Sequence, residues 1–398
     1  MIRAYKFLLR PTMSQRAVLA AMLRDHCSLY NAALQERRDA YQRPSKTTIR
    51  YGQQSAQLKE IRAFDPECQG RWSFSSQQAT LRRLDRAFAA FFRRVKTGET
   101  PGYPRYRGVG RFDTVEFPKD GDGCRWDSTP HDRVARVRLQ GVGHVRVHRH
   151  RPVNGTVRTI SVKREGHRWY VMVTAEREPE PLTPTSSAIG VDMGIANFLA
   201  DSDGGFVPNP RHGRKAAAKL VTAQQALSCC ESRSTRRRKA VENVAKLHRK
   251  VRRQRLDHAH KTALDLVRHH AFIAHEDLKI RNMSRAPAPK PDPNVPGAFL
   301  PNGASGKAGL NRSIADAGWG VFLAILNAKA ESAGREVMAV DPRNTSRRCP
   351  ECGHTAQQNR PTQEKFHCQS CGHSAHADTV AATNVLRAGL ARREAQPA

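Results

Sequence analysis

The sequence contains no long hydrophobic run. No stretch of the 398 residues approaches the ~20 consecutive apolar residues that a membrane-spanning helix requires. The first residues, MIRAYKFLLRP, are too few and too charged for a secretory signal peptide. These absences predict a protein of the cytosol with no membrane span.

Acidic residues are scarce relative to basic ones. Asp and Glu total 36 against 68 Lys and Arg, which gives a formal net charge of +32. Solubility requires a net charge of only about 2–8 for a small domain. A larger surplus repels itself unless a polyanion neutralises it, so nucleic acid is the predicted partner. An anionic membrane surface is the competing explanation.

The cysteines do not form an even disulfide framework. Of the nine, five are scattered along the chain: Cys27, Cys68, Cys124, Cys229 and Cys230. An odd number of cysteines without regular spacing argues against a disulfide-stabilised secreted fold. It favours a reduced, cytosolic protein.

The remaining four cysteines form two CxxC pairs separated by fifteen residues. They are Cys349, Cys352, Cys368 and Cys371. A CxxC turn presents two thiolates to one side of an ion, and this spacing is typical of a structural zinc site. Nearby histidines leave the ligand set open, since any of them could replace a cysteine; these are His354, His367 and His373. A zinc ion held by four protein ligands is not catalytic, so the chemistry must lie elsewhere.

The first part of the chain predicts a strand followed by helices. Residues 2–10 indicate a strand that ends at a proline, and Thr12 with Gln15 forms a capping box for the next helix. A second capping box, Ser75 with Gln78, predicts the start of another basic helix.

Alternating strand patterns follow from residue 102 onward. They are strongest over 134–139, 142–147, 156–164 and 167–176, the last two joined by a turn at Glu165-Gly166. Several short strands at this spacing predict a small antiparallel barrel of the OB type, a fold that commonly binds oligonucleotides.

The second half alternates strand and helix patterns. Between Arg233 and Arg255 there are eleven Lys/Arg and one acid, on a helix whose predicted apolar stripe includes Val241 and Val251. The other predicted elements are a strand, turn and strand at 188–204, a strand at 272–276, a mobile Pro/Gly-rich loop at 284–309, a helix at 310–334, a strand at 337–340 and a helix at 377–390.

Three acids occupy the ends of these elements. Asp192 lies in a buried strand, Glu276 at the end of another, and Asp378 at the start of the last predicted helix. Each could be an isolated salt-bridge partner, and Asp378 could be an N-cap. Together they match an RNase H-like nuclease, in which carboxylates hold two Mg²⁺ ions about 3.5–4 Å apart.

At this point the sequence resembles the TnpB (OrfB) family of transposon-encoded proteins, relatives of the type V CRISPR effectors. The resemblance runs nearly end to end, and its motifs occur in the family's order. They are AYKFLLRPT, LYNAAL, LRRLDRAFAAFFRRVKTG, YPRYRGVGRFDTVEF, GVDMGIANFLADSDG, HEDLKIRNM, LNRSIADAGWG, TSRRCPECGH and CQSCGHSAHADTVAATN.

This resemblance implies an RNA-guided DNA endonuclease with a multidomain α/β fold. The guide RNA and double-stranded target DNA would be its partners, Zn²⁺ and Mg²⁺ or Mn²⁺ its ions, and Asp192, Glu276 and Asp378 its catalytic, magnesium-binding acids. Expected nucleic-acid contacts are Arg105, Arg107, Arg249, Lys250, Arg252 and Arg253. The implied domains are an OB-like wedge barrel (1–11 and 99–183), a helical recognition lobe (12–98), a RuvC or RNase H-like nuclease domain (187–344 and 374–390), a zinc ribbon (345–373) and a tail (391–398).

One position departs from the family pattern. The family usually has D-x-N-A-A after the zinc element, whereas this chain has Asp378-Thr379-Val380-Ala381-Ala382. Loss of an amide near a metal site can cost 10–100-fold in affinity or activity. Two alternatives therefore stay open. One is an RNA-guided repressor that binds DNA without cutting it. The other is a strand-joining transposase, which ranks last because the sequence shows no Tyr nucleophile beside an HxH metal pair.

Overall fold

The computed structural model describes residues 1–108, 110–129 and 131–395. It divides into two compact units, Met1–Glu178 and Pro179–Ala398. None of the helices within the described ranges is long and apolar enough to cross a membrane.

Unit 1 combines an antiparallel sheet with three helices. The strands are β1 Ile2–Arg10, β2 Thr114–Phe117, β3 Cys124–Asp127, β4 Ala135–Leu139, β5 Gly143–His148, β6 Thr156–Glu165 and β7 Arg168–Glu176. The helices are α1 Met13–Gln42, α2 Tyr51–Phe64 and α3 Phe74–Lys96, with a π-helical turn at Pro66–Gly70. The sheet order is β2-β6-β7-β1-β5-β4-β3.

The N-terminal strand joins the two halves of this sheet. Tyr5 of β1 lies opposite Val173 of β7, while Leu9 lies opposite Val147 of β5. The alternating side chains Tyr5, Phe7 and Leu9 are buried in one core with residues of α1 and α3. This arrangement follows from the period of two in a strand, which sends every second side chain to the same face.

Of the two capping boxes predicted for unit 1, the first is confirmed and the second is wrong. Thr12 accepts from the backbone of Gln15, and Gln15 caps Thr12 in return, as predicted for α1. The predicted Ser75–Gln78 box is wrong. Ser73 caps α3 by accepting from the backbone N–H of Ser76, because the chain is already helical at Ser75. Helix α2 was missed, since its 14 residues bury only two side chains and carry a weak apolar pattern.

Unit 2 contains a mixed sheet flanked by helices. Its strands are β8 Ala188–Asp192, β9 Asn197–Asp201, β10 Phe206–Pro208, β11 Phe272–Glu276, β12 Lys290–Pro291, β13 Phe299–Leu300, β14 Glu336–Val340, β15 Lys365–His367 and β16 Ser374–His376. Its helices are α4 His212–Ser228, α5 Thr235–His269, α6 Ile280–Met283, α7 Ala304–Ala317, α8 Trp319–Ala333 and α9 Ala377–Glu394.

The main sheet of unit 2 has the order β10-β9-β8-β11-β14. Strands β8, β11 and β14 are parallel, whereas β9 pairs antiparallel with both β8 and β10. One face carries a core formed with α5 and α8, including Phe198, Leu266 and Phe322.

Helix α9 lies directly against the other face of this sheet. A Cβ on Gly190 of β8 would come within 2.1 Å of the Ala382 carbonyl oxygen in α9. A Cβ on Gly389 would come within 2.6 Å of Ala274 in β11. The two glycines thus permit the close helix–sheet approach that fixes the start of α9 beside the strand ends.

Three predictions for unit 2 need correction: a loop, a single helix and a buried helix face. The segment 284–309, predicted as a loop, contains the short β12–β13 hairpin and the first turns of α7. The single helix predicted over 310–334 is two helices, because Gly318 adopts φ +73° between α7 and α8. The predicted apolar stripe on α5 is largely not buried. Val241 is exposed, and within 233–255 the one buried residue is Val251.

Candidate active site and metal centre

The sheet register brings two of the predicted acids together. In the parallel pairing of β8 and β11, Val191 lies opposite His275. The next residues, Asp192 and Glu276, therefore end neighbouring strands at the same edge. Carboxyl ends of parallel strands are where open α/β sheets commonly place their ligand sites.

Asp378 reaches the same edge from helix α9. His376 is the N-cap, and its Nδ1 accepts from the backbone N–H of Asp378 at 3.3 Å. Asp378 is thus not the cap itself but a residue of the first turn, where the helix dipole favours a negative charge. Its orientation toward Asp192 depends on the close packing of α9 at Gly190.

The electrostatics show that the three acids are neighbours. The pKa of Asp192 is raised to about 7 by burial first and then by the negative charges of Glu276 and Asp378. Burial also raises the pKa of Glu276, against a hydrogen bond from Thr345 and the charge of Arg360. Buried like charges of this kind stay ionised together only when a cation lies near them.

Two residues of the site were not predicted from the sequence. Arg360 donates from Nη2 to Asp378 Oδ1 at 2.8 Å, and its charge lowers the pKa of both Asp192 and Glu276. Thr345 donates from Oγ1 to Glu276 Oε1 at 2.6 Å. Thr345 begins the quoted TSRRCPECGH motif, but no local pattern distinguishes Arg360 from the many other arginines.

The three acids are not grouped as tightly as the cysteines of the CxxC pairs. Among the residues that the structure describes, the four cysteines are the group whose metal-ligand atoms all lie within 4.8 Å of one another. The three carboxylates are therefore more widely spread.

The four cysteines of the CxxC pairs converge as predicted. Cys349 Sγ lies 3.6 Å from Cys371 Sγ, and Cys352 Sγ lies 3.5 Å from Cys368 Sγ. Four thiolates placed about 2.3 Å from one ion in a tetrahedron would be about 3.8 Å apart. The histidines instead contribute backbone contacts: the carbonyls of His354 and His373 accept from Cys349 N and Cys368 N. The cluster consequently fits one tetrahedral metal ion.

Val380 packs against this cysteine cluster. Its side chain is buried with Cys349, Phe366, Cys368 and Ala377. The side chain at this position therefore lies in an apolar environment, and the effect of the lost amide on cleavage stays a prediction. This chain thus has a buried apolar residue where the family usually has Asn.

An exposed row of arginines crosses the sheet of unit 1. Arg146 of β5 lies directly opposite Arg10 of β1 on one side and Arg136 of β4 on the other. With Arg133 and Arg149, Arg10 and Arg146 line a cavity of about 260 Å³. Like charges directly opposite each other destabilise a sheet. A polyanion would relieve this repulsion.

The six predicted nucleic-acid contacts are distributed over both units. Arg105 and Arg107 belong to unit 1 and are exposed, and the Arg107 carbonyl accepts from Asn31. The others lie along α5 in unit 2, where Arg249 is half-buried and three are exposed: Lys250, Arg252 and Arg253.

Comparison with known proteins defines the class to which this fold belongs. A solved structure titled "Cryo-EM structure of the Cas12f1-sgRNA-target DNA complex" is similar with a TM-score of 0.59 at 12% identity, covering 94% of this chain and 83% of that one. The chain therefore shares the mixed α/β fold of a Cas12f1 protein.

The sequence comparisons define the family. A model described as "Probable transposase" (OrfB_IS605) matches residues 170–286, a Cas12f1-like TNB domain matches 319–385, and a helix-turn-helix domain of OrfB_IS605 matches 1–46. Two relatives match almost throughout. "Putative RNA-guided DNA endonuclease InsQ" of Escherichia coli (strain K12) is 33% identical over 394 residues, covering 98% of this chain and 92% of the relative. A "Putative RNA-guided DNA endonuclease" of Streptomyces pristinaespiralis is 30% identical over 399 residues, covering 98% and 90%.

The chain belongs to the TnpB (OrfB) family, which confirms the predicted resemblance. The segment matched by the helix-turn-helix model consists here of β1 and the single continuous helix α1.

Proposed function

We propose that this protein is an RNA-guided DNA endonuclease encoded by a transposable element. It binds a guide RNA and cleaves matched DNA beside a short adjacent motif by two-metal-ion phosphodiester hydrolysis. The observation that carries this proposal is the convergence of Asp192, Glu276 and Asp378 at one sheet edge, with the pKa of Asp192 raised to about 7. The names of the full-length relatives point to the same activity.

The acid cluster fits Mg²⁺ or Mn²⁺. These ions prefer carboxylate oxygens and would supply an activated water and stabilisation of the leaving oxygen. Asp192 and Glu276 would hold the cations from the strand ends, and Asp378 would hold them from α9. Thr345 keeps Glu276 oriented through its 2.6 Å hydrogen bond. Arg360, whose planar fork suits phosphate as well as carboxylate, is placed to contact the DNA phosphate once cations neutralise Asp378.

The cysteine cluster fits Zn²⁺ in a structural role. Four thiolates complete a tetrahedral shell and leave no position for substrate. The ion would hold segment 345–373 in place, and this segment supplies both Thr345 and Arg360 to the acids. Zinc would thereby support catalysis by positioning these side chains.

The basic surfaces fit guide RNA and DNA backbones. We assign the arginine row of unit 1 and the exposed cations of α5 to phosphate contacts, because counterion release on such contacts drives binding.

From the family resemblance we assign residues 1–11 and 99–183 to an OB-like wedge barrel and 12–98 to the recognition lobe. Residues 187–344 and 374–390 would form a RuvC-type nuclease domain, and 345–373 a zinc ribbon. The five cysteines outside the zinc cluster form no disulfide, which favours a reducing compartment, so we place the activity in the cytosol.

The proposal is tested by loading the protein with RNA transcribed from its own locus. We expect cleavage of double-stranded DNA that matches the RNA, only when Mg²⁺ or Mn²⁺ is present, and none of DNA with a scrambled match. Tight binding of matched DNA with no cleavage at any Mg²⁺ concentration would instead establish the guided repressor. Strand joining without a matched RNA would establish the transposase.

A further inference from the structure

A second cavity, remote in sequence from the three acids, opens within unit 1. It has a volume of about 580 Å³ and lies among the end of α1, residues 47–50 and the second half of α3. This volume is within the range of about 300–1,000 Å³ typical of small-molecule sites.

Aromatic rings form much of the cavity wall. Tyr103 meets Phe88 edge-on at 5.6 Å and Phe91 at 5.4 Å between ring centroids. Phe92 continues the cluster, stacked 6.3 Å from Phe88. Phe92 is 59% exposed and Tyr103 45% exposed. Rings that remain exposed in this way offer faces on which a flat ligand can stack.

A buried arginine with an unused donor also lines this cavity. Arg37 is 8% exposed; its Nε donates to Gln54 at 2.9 Å and its Nη1 to Asp85 at 3.1 Å. The guanidinium carbon lies 5.2 Å from the centroid of the Phe88 ring. Among the residues that the structure describes, the buried Nη2 of Arg37 has no hydrogen-bond partner. A buried donor left in this state is costly, so a ligand acceptor would stabilise it.

The charges around the cavity favour part of a polyanion. The positive charge of Arg38 acts on Tyr103, and Arg94 Nη1 would lie 3.6 Å from a Cβ on Gly102. Asp85 is the one acid among the lining residues and already pairs with Arg37. A phosphate is thus favoured by Arg50 in the cavity wall and by the charge of Arg38 acting on Tyr103, whereas the aromatic interior suits an uncharged ring.

We propose that this cavity binds an unpaired nucleobase of the guide RNA. The base stacks on the aromatic wall, Arg37 Nη2 donates to one of its acceptors, and a free oxygen of Asp85 accepts from one of its N–H groups. Guide RNA is the source because proteins recognise single-stranded RNA by stacking splayed bases on aromatic side chains, whereas intact duplex DNA presents no such base. The inference rests on the proposed function, since it assumes that a guide RNA is bound.

The test compares Phe92→Ala with the matched variant Phe64→Ala. Phe64 is in the same unit, is 93% exposed and does not line the cavity. Phe92 also packs against Phe88 and Phe91, so thermal unfolding of both variants is measured to confirm that each is folded at the assay temperature. The probe is the RNA that co-purifies with the wild-type chain, rebound to each full-length variant. Dimethyl sulfate and carbodiimide then report which bases are protected, and filter binding reports affinity.

We expect one unpaired base to be protected in wild type and in Phe64→Ala but reactive in Phe92→Ala. RNA affinity should fall about fivefold or more in Phe92→Ala, as expected for loss of one base–aromatic stack. Tyr103→Phe, which keeps the ring, should retain the protection, and Tyr103→Ala should lose it.

Other outcomes overturn the inference. Equal protection and affinity in Phe92→Ala and Phe64→Ala would mean that the cavity holds no base. Protection confined to the displaced DNA strand after target addition would refute the assignment to guide RNA. Cleavage of matched DNA by the wild-type complex, measured in parallel, keeps these failures distinct from failure of the proposed function, in which wild type would neither bind RNA nor cut.

Discussion

Replacing Asp192 with Asn should stabilise the protein in the absence of Mg²⁺. The pKa of Asp192 rises from 3.8 to about 7 in the folded chain because the carboxyl is buried beside Glu276 and Asp378. The difference corresponds to about 4 kcal/mol of cost for holding the ionised form in place. Asparagine resembles the protonated acid in shape but carries no charge, so the variant avoids this cost.

The sign and the pH window follow from proton linkage. Between pH 4 and 7 the unfolded chain has released the Asp192 proton while the folded chain retains it. The contribution of Asp192 to the free energy of unfolding of wild type should therefore fall by about 1.4 kcal/mol per pH unit across this window and level off above pH 7. Asp192→Asn should match wild type near pH 4 and exceed it by up to about 4 kcal/mol at pH 8.

The assay is urea unfolding at pH 4.5 and pH 8 in Mg²⁺-free buffer. Chelators are avoided because they would strip the cysteine site. Asp203→Asn, at an exposed acid of the same unit, is the control and should change little at either pH. Added Mg²⁺ should stabilise wild type at pH 8 and leave Asp192→Asn unchanged. Equal stability of wild type and Asp192→Asn at pH 8 without Mg²⁺ would refute the electrostatic reasoning.

Four further predictions address the rest of the molecule. Cys371→Ser should lower bound zinc from about one ion per chain, as measured by atomic absorption, and destabilise unit 2; full zinc retention would contradict the assignment. Val380→Asn should lower the free energy of unfolding by about 1–3 kcal/mol because it buries an amide among apolar groups, whereas Val380→Ile should not. Arg360→Ala should slow cleavage by about 100-fold with DNA binding retained, and equal rates would exclude a catalytic contact. Charge reversal at Arg146 or Lys250 should reduce the slope of log RNA affinity against log salt by about 1 or more. An unchanged slope would show that the surface does not contact RNA phosphates.

Local patterns in the sequence predicted the individual elements of the site. Strand β11 was located correctly because Phe272, Ile273 and Ala274 form a short apolar run that ends in a carboxylate. The CxxC spacing likewise identified the four thiols that meet in the structure. Both features depend on residues close together in the chain.

What the sequence did not reveal depends on contacts between distant segments. Arg360 meets Asp378 only after segment 345–373 has folded back onto α9, and nothing near Arg360 in the sequence marks it. Gly190 is a similar case. The Ala382 carbonyl, almost two hundred positions away in the sequence, leaves no room for a side chain at Gly190. The apolar neighbours of Val380 likewise became apparent only from packing, because Cys349 and Phe366 come from an earlier segment of the chain.

The central claim is that the three convergent carboxylates hold the cations with which the protein cuts DNA selected by a bound RNA. Its most direct test is the cleavage of matched DNA by RNA-loaded Asp192→Ala, with DNA binding measured on the same samples. Binding energy comes from base pairing and backbone contacts, so binding should equal that of wild type while cleavage disappears. Cleavage by Asp192→Ala at the wild-type rate would contradict the account.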